Sequence, residues 1–314
     1  MWNNPQNADR LHQHRKGKCN MKLYAPKYYK EFKCIADKCE HSCCIGWEID
    51  VDGDTLNKYE SLKGEYGAVI RDTISLEGTP HFKLCEHDRC PHLDENGLCR
   101  IILSVGEDHL CRICREHPRF YNYTDVAEVG IGMSCREAAR IILNSDDYSV
   151  FEQVGELDVE SDGVDFDARD TREEIYTVLR DRERCYADRL KDVYGQYSIE
   201  AGDDRYFLDK IASLEYLDVE HKALFLHYSS KKRAEGKYEY LERFLAYFIY
   251  RHCSEALDYD DFCDRLSFCL FCERLLSSLI CSNGAESLSD IAVLASIISE
   301  EIEYSEENTL SLIY

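Results

Sequence analysis

Apolar residues recur at helical spacing through most of the second half of the chain. Ile175, Leu179, Tyr186, Leu190 and Val193 form one such stripe, and Leu241, Phe244, Leu245, Phe248 and Ile249 form another. The stretches Phe262 to Ile280 and Leu288 to Ile302 continue in the same way. Upstream, Val51 to Leu62 predicts a short helix capped by Asp52 or Asp54. Ser134 to Asn144 predicts another, in which Ser134 and Glu137 have capping-box spacing ahead of Ala138, Ile141 and Ile142. No strand-like alternation or tandem repeat stands out. Cys85 to Cys99 is dominated by His, Asp, Pro and Gly, which favours loops. The pattern predicts a mainly α protein with a loop-rich cysteine module near its start. The expected parts are a basic flexible arm over 1–21, the cysteine module over 22–154, an acidic Gly-containing linker over 155–170 and a helical region over 171–314.

Composition supports a folded chain. Of 314 residues 44% are hydrophobic, and 34 are Tyr or Phe, enough for a substantial core. Charge is uneven: residues 1–150 carry a net −4 and residues 151–314 a net −19. Such an acidic half repels nucleic acid and suits a basic partner, although a solvated acidic surface accounts for it equally well. Residues 1–33 hold eight Lys or Arg against two acids. The first twenty lack the interleaved aromatics of a nucleic-acid site.

The chemistry lies in the cysteines. Ten of the seventeen fall between Cys34 and Cys135, beginning with the knot Cys34-x4-Cys39-x3-Cys43-Cys44. The N-terminal stretch has no apolar signal region, and no run approaches the roughly 18 apolar residues of a membrane span. The expectation is therefore a cytoplasmic protein without membrane partners, in a compartment where clustered thiols are ligands or redox centres more often than disulfides. Cys185, Cys253, Cys263, Cys269, Cys272 and Cys281 sit among apolar residues and read as small packed hydrophobes. In the first cluster, close pairs such as Cys39-x3-Cys43 and Cys111-x2-Cys114 let two thiolates converge on one centre, and both zinc and an iron–sulfur cluster accept such donors. His41, His87, His92 and His117 are possible substitutes for a thiol, with a loop or capping role as the plainer reading. Trp47 is placed to cover the knot, and Arg115 and Arg119 flank Cys114.

Several segments together resemble the flagellin lysine-N-methylase (FliB) family. They are Phe32-Lys33-Cys34 through Cys39 to Cys43-Cys44-Ile45-Gly46-Trp47, then Cys90-Pro91-His92-Leu93-Asp94-Glu95-Asn96-Gly97-Leu98-Cys99-Arg100. Cys114-Arg115-Glu116-His117-Pro118-Arg119 and Ser134-Cys135-Arg136-Glu137-Ala138-Ala139-Arg140 follow, and Glu301-Ile302-Glu303-Tyr304-Ser305-Glu306-Glu307-Asn308 looks like the family's C-terminal signature. A broader group of zinc- or iron-chelating proteins shares the pattern Cys39, Cys43, Cys44, Cys90, Cys99 and Cys114. Cys34 and Cys135 are particular to the methylase-like set, whereas Cys85 and Cys111 look like extras of this sequence. The resemblance implies methyl transfer from S-adenosylmethionine to lysines of flagellin by a protein carrying an iron–sulfur cluster, of the 4Fe-4S type, with zinc as the alternative metal. The implied metal ligands are those eight cysteines. No strand–GxGxxG–helix fingerprint is present, and Cys44 follows Cys43 directly where the C-x3-C-x2-C radical pattern needs two intervening residues, so no conventional donor site is legible. Glu301, Glu303 and Tyr304 are candidate bases for deprotonating lysine, against the plainer reading of a solvated terminal helix. A non-enzymatic zinc- or iron-binding interaction protein is the rival from another class.

Overall fold

The computed structural model describes residues 18–124, 126–160, 166–200, 204–229 and 231–314. Most of the expected 1–21 arm lies outside the described residues. The chain divides into two compact units, one of Lys33–Pro118 and one made of the preceding residues up to Phe32 together with Arg119–Tyr314. The cysteine unit is thus an insertion in the chain of the other.

Strand β1 (Lys18–Pro26) opens the larger unit. The inserted unit follows with helices α1 (Gly53–Ser61) and α2 (Glu65–Asp72), strands β2 (Ile74–Ser75) and β3 (His81–Phe82), and helices α3 (Arg100–Val105) and α4 (Arg112–Glu116). As its sequence suggested, α1 is capped by Asp52, whose carboxylate accepts from the Thr55 amide at 3.0 Å and the Thr55 hydroxyl at 2.8 Å. The same carboxylate accepts from the Arg112 amide at 2.8 Å, so one side chain starts α1 and also holds the start of α4. Burial pushes the Asp52 carboxyl up, but the Arg112 amide and the Thr55 hydroxyl and amide outweigh it and hold it below its ordinary value. Its contribution is therefore present above the ordinary carboxylate range and is lost as pH falls through the depressed value. Asp52→Ala is expected to lower the stability of this unit by about 1–2 kcal/mol at neutral pH. The difference from the parent should shrink in acid, as read from urea midpoints at several pH values.

The larger unit resumes with β4 (Arg119–Tyr123), β5 (Ala127–Ile131), α5 (Arg136–Asn144) and β6 (Phe151–Glu160). The strand order is β4-β5-β1-β6, with β1 parallel to β5 (Leu23 beside Ala127) and antiparallel to β6 (Leu23 beside Gly155). Every residue of β5 is buried, as expected of a central strand. Its Gly130 faces Phe120 on β4, where an added Cβ would lie 2.3 Å from the ring. Arg119 donates to the Tyr29 hydroxyl at 3.0 Å and lies 5.8 Å from the Phe32 ring centre, so the two points where the chain leaves and re-enters this unit are side by side.

Eight helices complete the chain: α6 (Ala168–Leu179), α7 (Tyr186–Gln196), α8 (Arg205–Ile211), α9 (Val219–Leu226), α10 (Tyr238–His252), α11 (Tyr259–Asn283), α12 (Leu288–Glu303) and α13 (Glu306–Ile313). The protein is mainly α. The two apolar stripes of the sequence map onto α6 with α7 and onto α10, and all ten residues named for them are buried. From Leu266 to Ile280, helix α11 is buried on every side except at half-buried Ser267, its charged Glu273 and Arg274 included. By length and composition alone it passes the test for a membrane span, but 78% of its apolar window is buried within the protein. It is capped by Asp258 and ends at Gly284 in the left-handed conformation (φ +61°). The Ser287–Asp290 pair makes a capping box for α12.

The sheet differs from the expected pattern. Residues 155–160, read from composition as the start of an acidic linker, form the second half of β6, while 161–165 lie outside the described residues. The physical reason is that β6 is an edge strand: Gln153, Glu156 and Asp158 are exposed between half-buried Val154, Leu157 and Val159.

Candidate metal centre

The inserted unit has a small core of its own, built on Ile49, Val51, Tyr59, Ile70, Phe82, Leu93 and Ile101. Five thiols belong to it: Cys90 and Cys111 are buried, and Cys44, Cys99 and Cys114 pack against it half-buried. They arrive on separate segments that backbone bonds tie together. The Cys90 amide donates to the Cys44 carbonyl at 2.8 Å, and Gly46 donates to Asp88 at 3.0 Å. The segment from Cys90 to Cys99 is a tight loop. Asp94 receives the amides of Asn96 and Leu98, each at 2.8 Å, Gly97 takes a positive φ, and Leu93 bridges to Cys99. Trp47 donates its indole N–H to the Cys43 carbonyl at 2.8 Å, covering the knot as its position in the sequence suggested.

The thiols lie near enough to feel one another. A hydrogen bond from Cys43 lowers Cys44 to about 7, against the upward push of burial. Burial raises Cys90 to about 12, and the charges of Cys44, Cys99 and Cys111 add to the rise. Burial also raises Cys99. The mutual influence of Cys111 and Cys114 pushes Cys111 down and Cys114 up, with burial adding to the rise of Cys114. Even so, among the described residues no three His, Cys, Asp or Glu side chains stand at positions that hold a metal ion without rearranging.

The eight cysteines named from the sequence separate. Cys44, Cys90, Cys99 and Cys114 share the core of the inserted unit, and Cys43 bonds to Cys44. Cys39 is half-buried with its thiol on the His41 carbonyl at 2.8 Å, and Cys34 is exposed. Cys135 belongs to the larger unit, at the start of α5 and packed on that unit's core. Cys111, outside the family pattern, is 1% exposed amid the thiols. Its signal in the sequence was its distance of three residues from Cys114.

The cluster is chemically suited to a thiophilic metal. It offers several sulfur donors in a mostly apolar setting, and the buried imidazole of this unit is already committed. His92 accepts from the Tyr66 hydroxyl at Nδ1 and donates to Thr73 Oγ1 from Nε2, both at 3.0 Å, and burial lowers it to about 4. Its tautomer follows from Thr73, whose own hydroxyl proton goes to the Ile70 carbonyl.

Comparison with known proteins decides the family. The flagellar biosynthetic protein FliU of Salmonella muenchen is 31% identical over 130 residues, 39% of this chain and 77% of that protein. The chain belongs to the flagellar lysine-N-methylase family. The lysine-N-methylases of Salmonella typhimurium (strain LT2) and Salmonella choleraesuis (strain SC-B67) are also 31% identical over 130 residues, with the match spanning 32% of each, about a third of their length. No family model and no solved structure matches the chain.

The carboxylates that family resemblance singled out near the C-terminus lie in the larger unit and are heavily bonded. Glu301 is 1% exposed and accepts from the amides of Leu217 and Asp218 at 2.8 and 3.1 Å and from His221 at 2.6 Å. Glu303 accepts from Tyr247 at 3.0 Å, His252 at 2.7 Å and Arg251 at 3.0 Å, and also from Ser299. Burial pushes Glu303 up, but Arg251 and His252 outweigh it, so the carboxyl stays below its usual range. Together with Arg251, Arg265, Tyr304 and Thr309 it lines a cavity of about 90 Å³. Saturated in this way, both glutamates act as braces between helices.

Proposed function

We propose that this family member transfers methyl groups from S-adenosylmethionine to lysine ε-amino groups of flagellin, and that the cysteines of the inserted unit hold an iron–sulfur cluster, with zinc as the alternative metal. The observation that carries the reading is the similarity to FliU and to the two lysine-N-methylases, together with the four family-pattern thiols, Cys44, Cys90, Cys99 and Cys114, gathered in one small core. In the transfer, the lone pair of a neutral amine attacks the sulfonium methyl carbon. The C–S bond breaks with its electrons passing to sulfur, and the new ammonium gives up a proton. Because lysine has an ordinary pKa near 10.4, the site must first strip the amine of its proton or of its water.

Cys39, Cys43, Cys44, Cys90, Cys99 and Cys114 are the residues we assign to the metal from the family pattern, four of them (Cys44, Cys90, Cys99 and Cys114) within this core, and Cys34 and Cys135 are the cysteines particular to the methylase-like set. A bound cluster supplies thiolate-ligated iron able to carry an electron or anchor a donor, and the chain's own part is to supply reduced thiols and exclude water. The net −19 of residues 151–314 supports a lysine-bearing partner, an attraction screened over about 8 Å in physiological salt.

The test is co-expression with the cognate flagellin, followed by mass spectrometry of its lysines. Whole methyl increments are expected with the parent chain and none with Cys43→Ala. A fully metal-loaded chain, supplied with S-adenosylmethionine, that leaves flagellin unmodified would reject methyl transfer and leave the reading of a metal-binding interaction protein.

A further inference from the structure

The metal-centre reading, on which this inference rests, gives Cys111 no part, because the family pattern passes through Cys114 and omits it. The structure gives it a fixed place. Its side chain is 1% exposed and packs in the same small core as Cys114. Tyr59, wholly buried on α1, sets its hydroxyl 3.6 Å from Cys111 Sγ and donates to the His109 carbonyl at 2.6 Å. Asp52, at the start of the same helix, receives the amide of Arg112 at 2.8 Å. Helix α1 therefore grips residues 109–112 from both sides of Cys111. Cys85, the other cysteine outside the family pattern, has no such setting: it is exposed, and its backbone pairs with Arg89.

We propose that Cys111 binds the metal as the partner of Cys114, and that Tyr59 is a positioning residue that holds Cys111 through its hydroxyl. Two thiolates separated by two residues have the spacing that closes on a single centre. Cys44, Cys90 and Cys99 belong to the same core as this pair, and gathering the site requires these thiols to turn toward it. As each metal–sulfur bond forms, the thiol proton leaves to solvent. Cys111 then has only lone pairs to offer, and the single Tyr59 proton can turn from the His109 carbonyl to the thiolate, a charge-assisted bond of the kind that orients metal ligands.

The experiment is titration of the full reduced chain with Co(II) alone, following the sulfur-to-cobalt charge-transfer band. Cys111→Ser should lose one thiolate's share of the band and bind at least about tenfold more weakly, while Cys85→Ser should match the parent. Tyr59→Phe should keep the band's intensity, shift its position and weaken binding about tenfold, the usual scale for a ligand-orienting partner. An unchanged band in Cys111→Ser would overturn the assignment. Should that variant fail to fold, an unmoved band and affinity in Tyr59→Phe would overturn it instead. A parent chain that forms no thiolate band would defeat the metal-centre reading itself and this inference with it, whereas a normal parent band with insensitive variants would defeat this inference alone.

Discussion

Cys114→Ser protein is expected to be purified with only a small fraction of the parent's metal, and with the segment from Lys33 to Pro118 cut far faster by protease. Cys114 packs into the core that also holds Cys44, Cys90, Cys99 and Cys111, and the charges of Cys111, Cys44 and Cys90 all act on it. A structural metal contributes about 10–16 kcal/mol of binding free energy to small domains of this kind, and that energy is also folding energy. Removing one donor forfeits a large share of both. Cys269→Ala, in the buried middle of α11, should leave metal content unchanged, since Cys269 packs in the core of the larger unit. Metal analysis per chain and limited proteolysis read the two effects separately. Full metal retention in Cys114→Ser would remove this cysteine from the site.

Glu242→Ala is expected to destabilise the larger unit by about 3–5 kcal/mol, the cost of stranding a buried charge. Glu242 is 0% exposed on α10 and accepts from Tyr148 at 2.5 Å and from Arg182 and Arg189 at 2.6 Å each. Arg189, on α7, is itself 4% exposed, so the truncation leaves a guanidinium in the core with no carboxylate. A double variant, Glu242→Leu with Arg189→Met, removes both charges and should recover much of the loss. Urea unfolding of the two variants beside the parent provides the check. A single variant within 1 kcal/mol of the parent, less than about a third of the smallest expected loss, would mean that water reaches this network.

The helices were legible because their signals are local. Asp52, four residues before Leu56, becomes the cap of α1, and apolar residues three and four apart become the buried faces of α6, α7 and α10. The sheet was not, because its pairings are distant. Leu23 meets Ala127 and Gly155, and no local pattern encodes those partners. Strand β5 is buried on both faces and so lacks alternation, while β6 carries the acids of an exposed edge and imitates a linker. The Ser134–Glu137 spacing also misled: α5 starts at Arg136, with Cys135 rather than Ser134 in the capping position, and Glu137 pairs with Arg140 at 2.7 Å. In the candidate site, the knot and the Cys90–Cys99 loop were visible as spacing. Cys111 was visible as half of the Cys111-x2-Cys114 pair, but its contact with Tyr59, fifty-two residues away in the chain, was not.

The adjacency of Phe32 and Arg119 bears on the order of events when the protein is made. Strand β1 leaves the ribosome before its partners β5 and β6, which follow only after the whole cysteine unit has been synthesised. Until then β1 has two unsatisfied edges, the kind of segment that pairs with the wrong chain. A long flexible tether adds a closure cost that grows by about 0.6 kcal/mol per doubling of its length. An inserted unit that has already condensed shortens that tether to the gap between its own ends, which in the finished protein are clasped by Arg119 against Tyr29 and Phe32. Under the proposed metal assignment, metal supply during translation would set how long β1 waits for its neighbours.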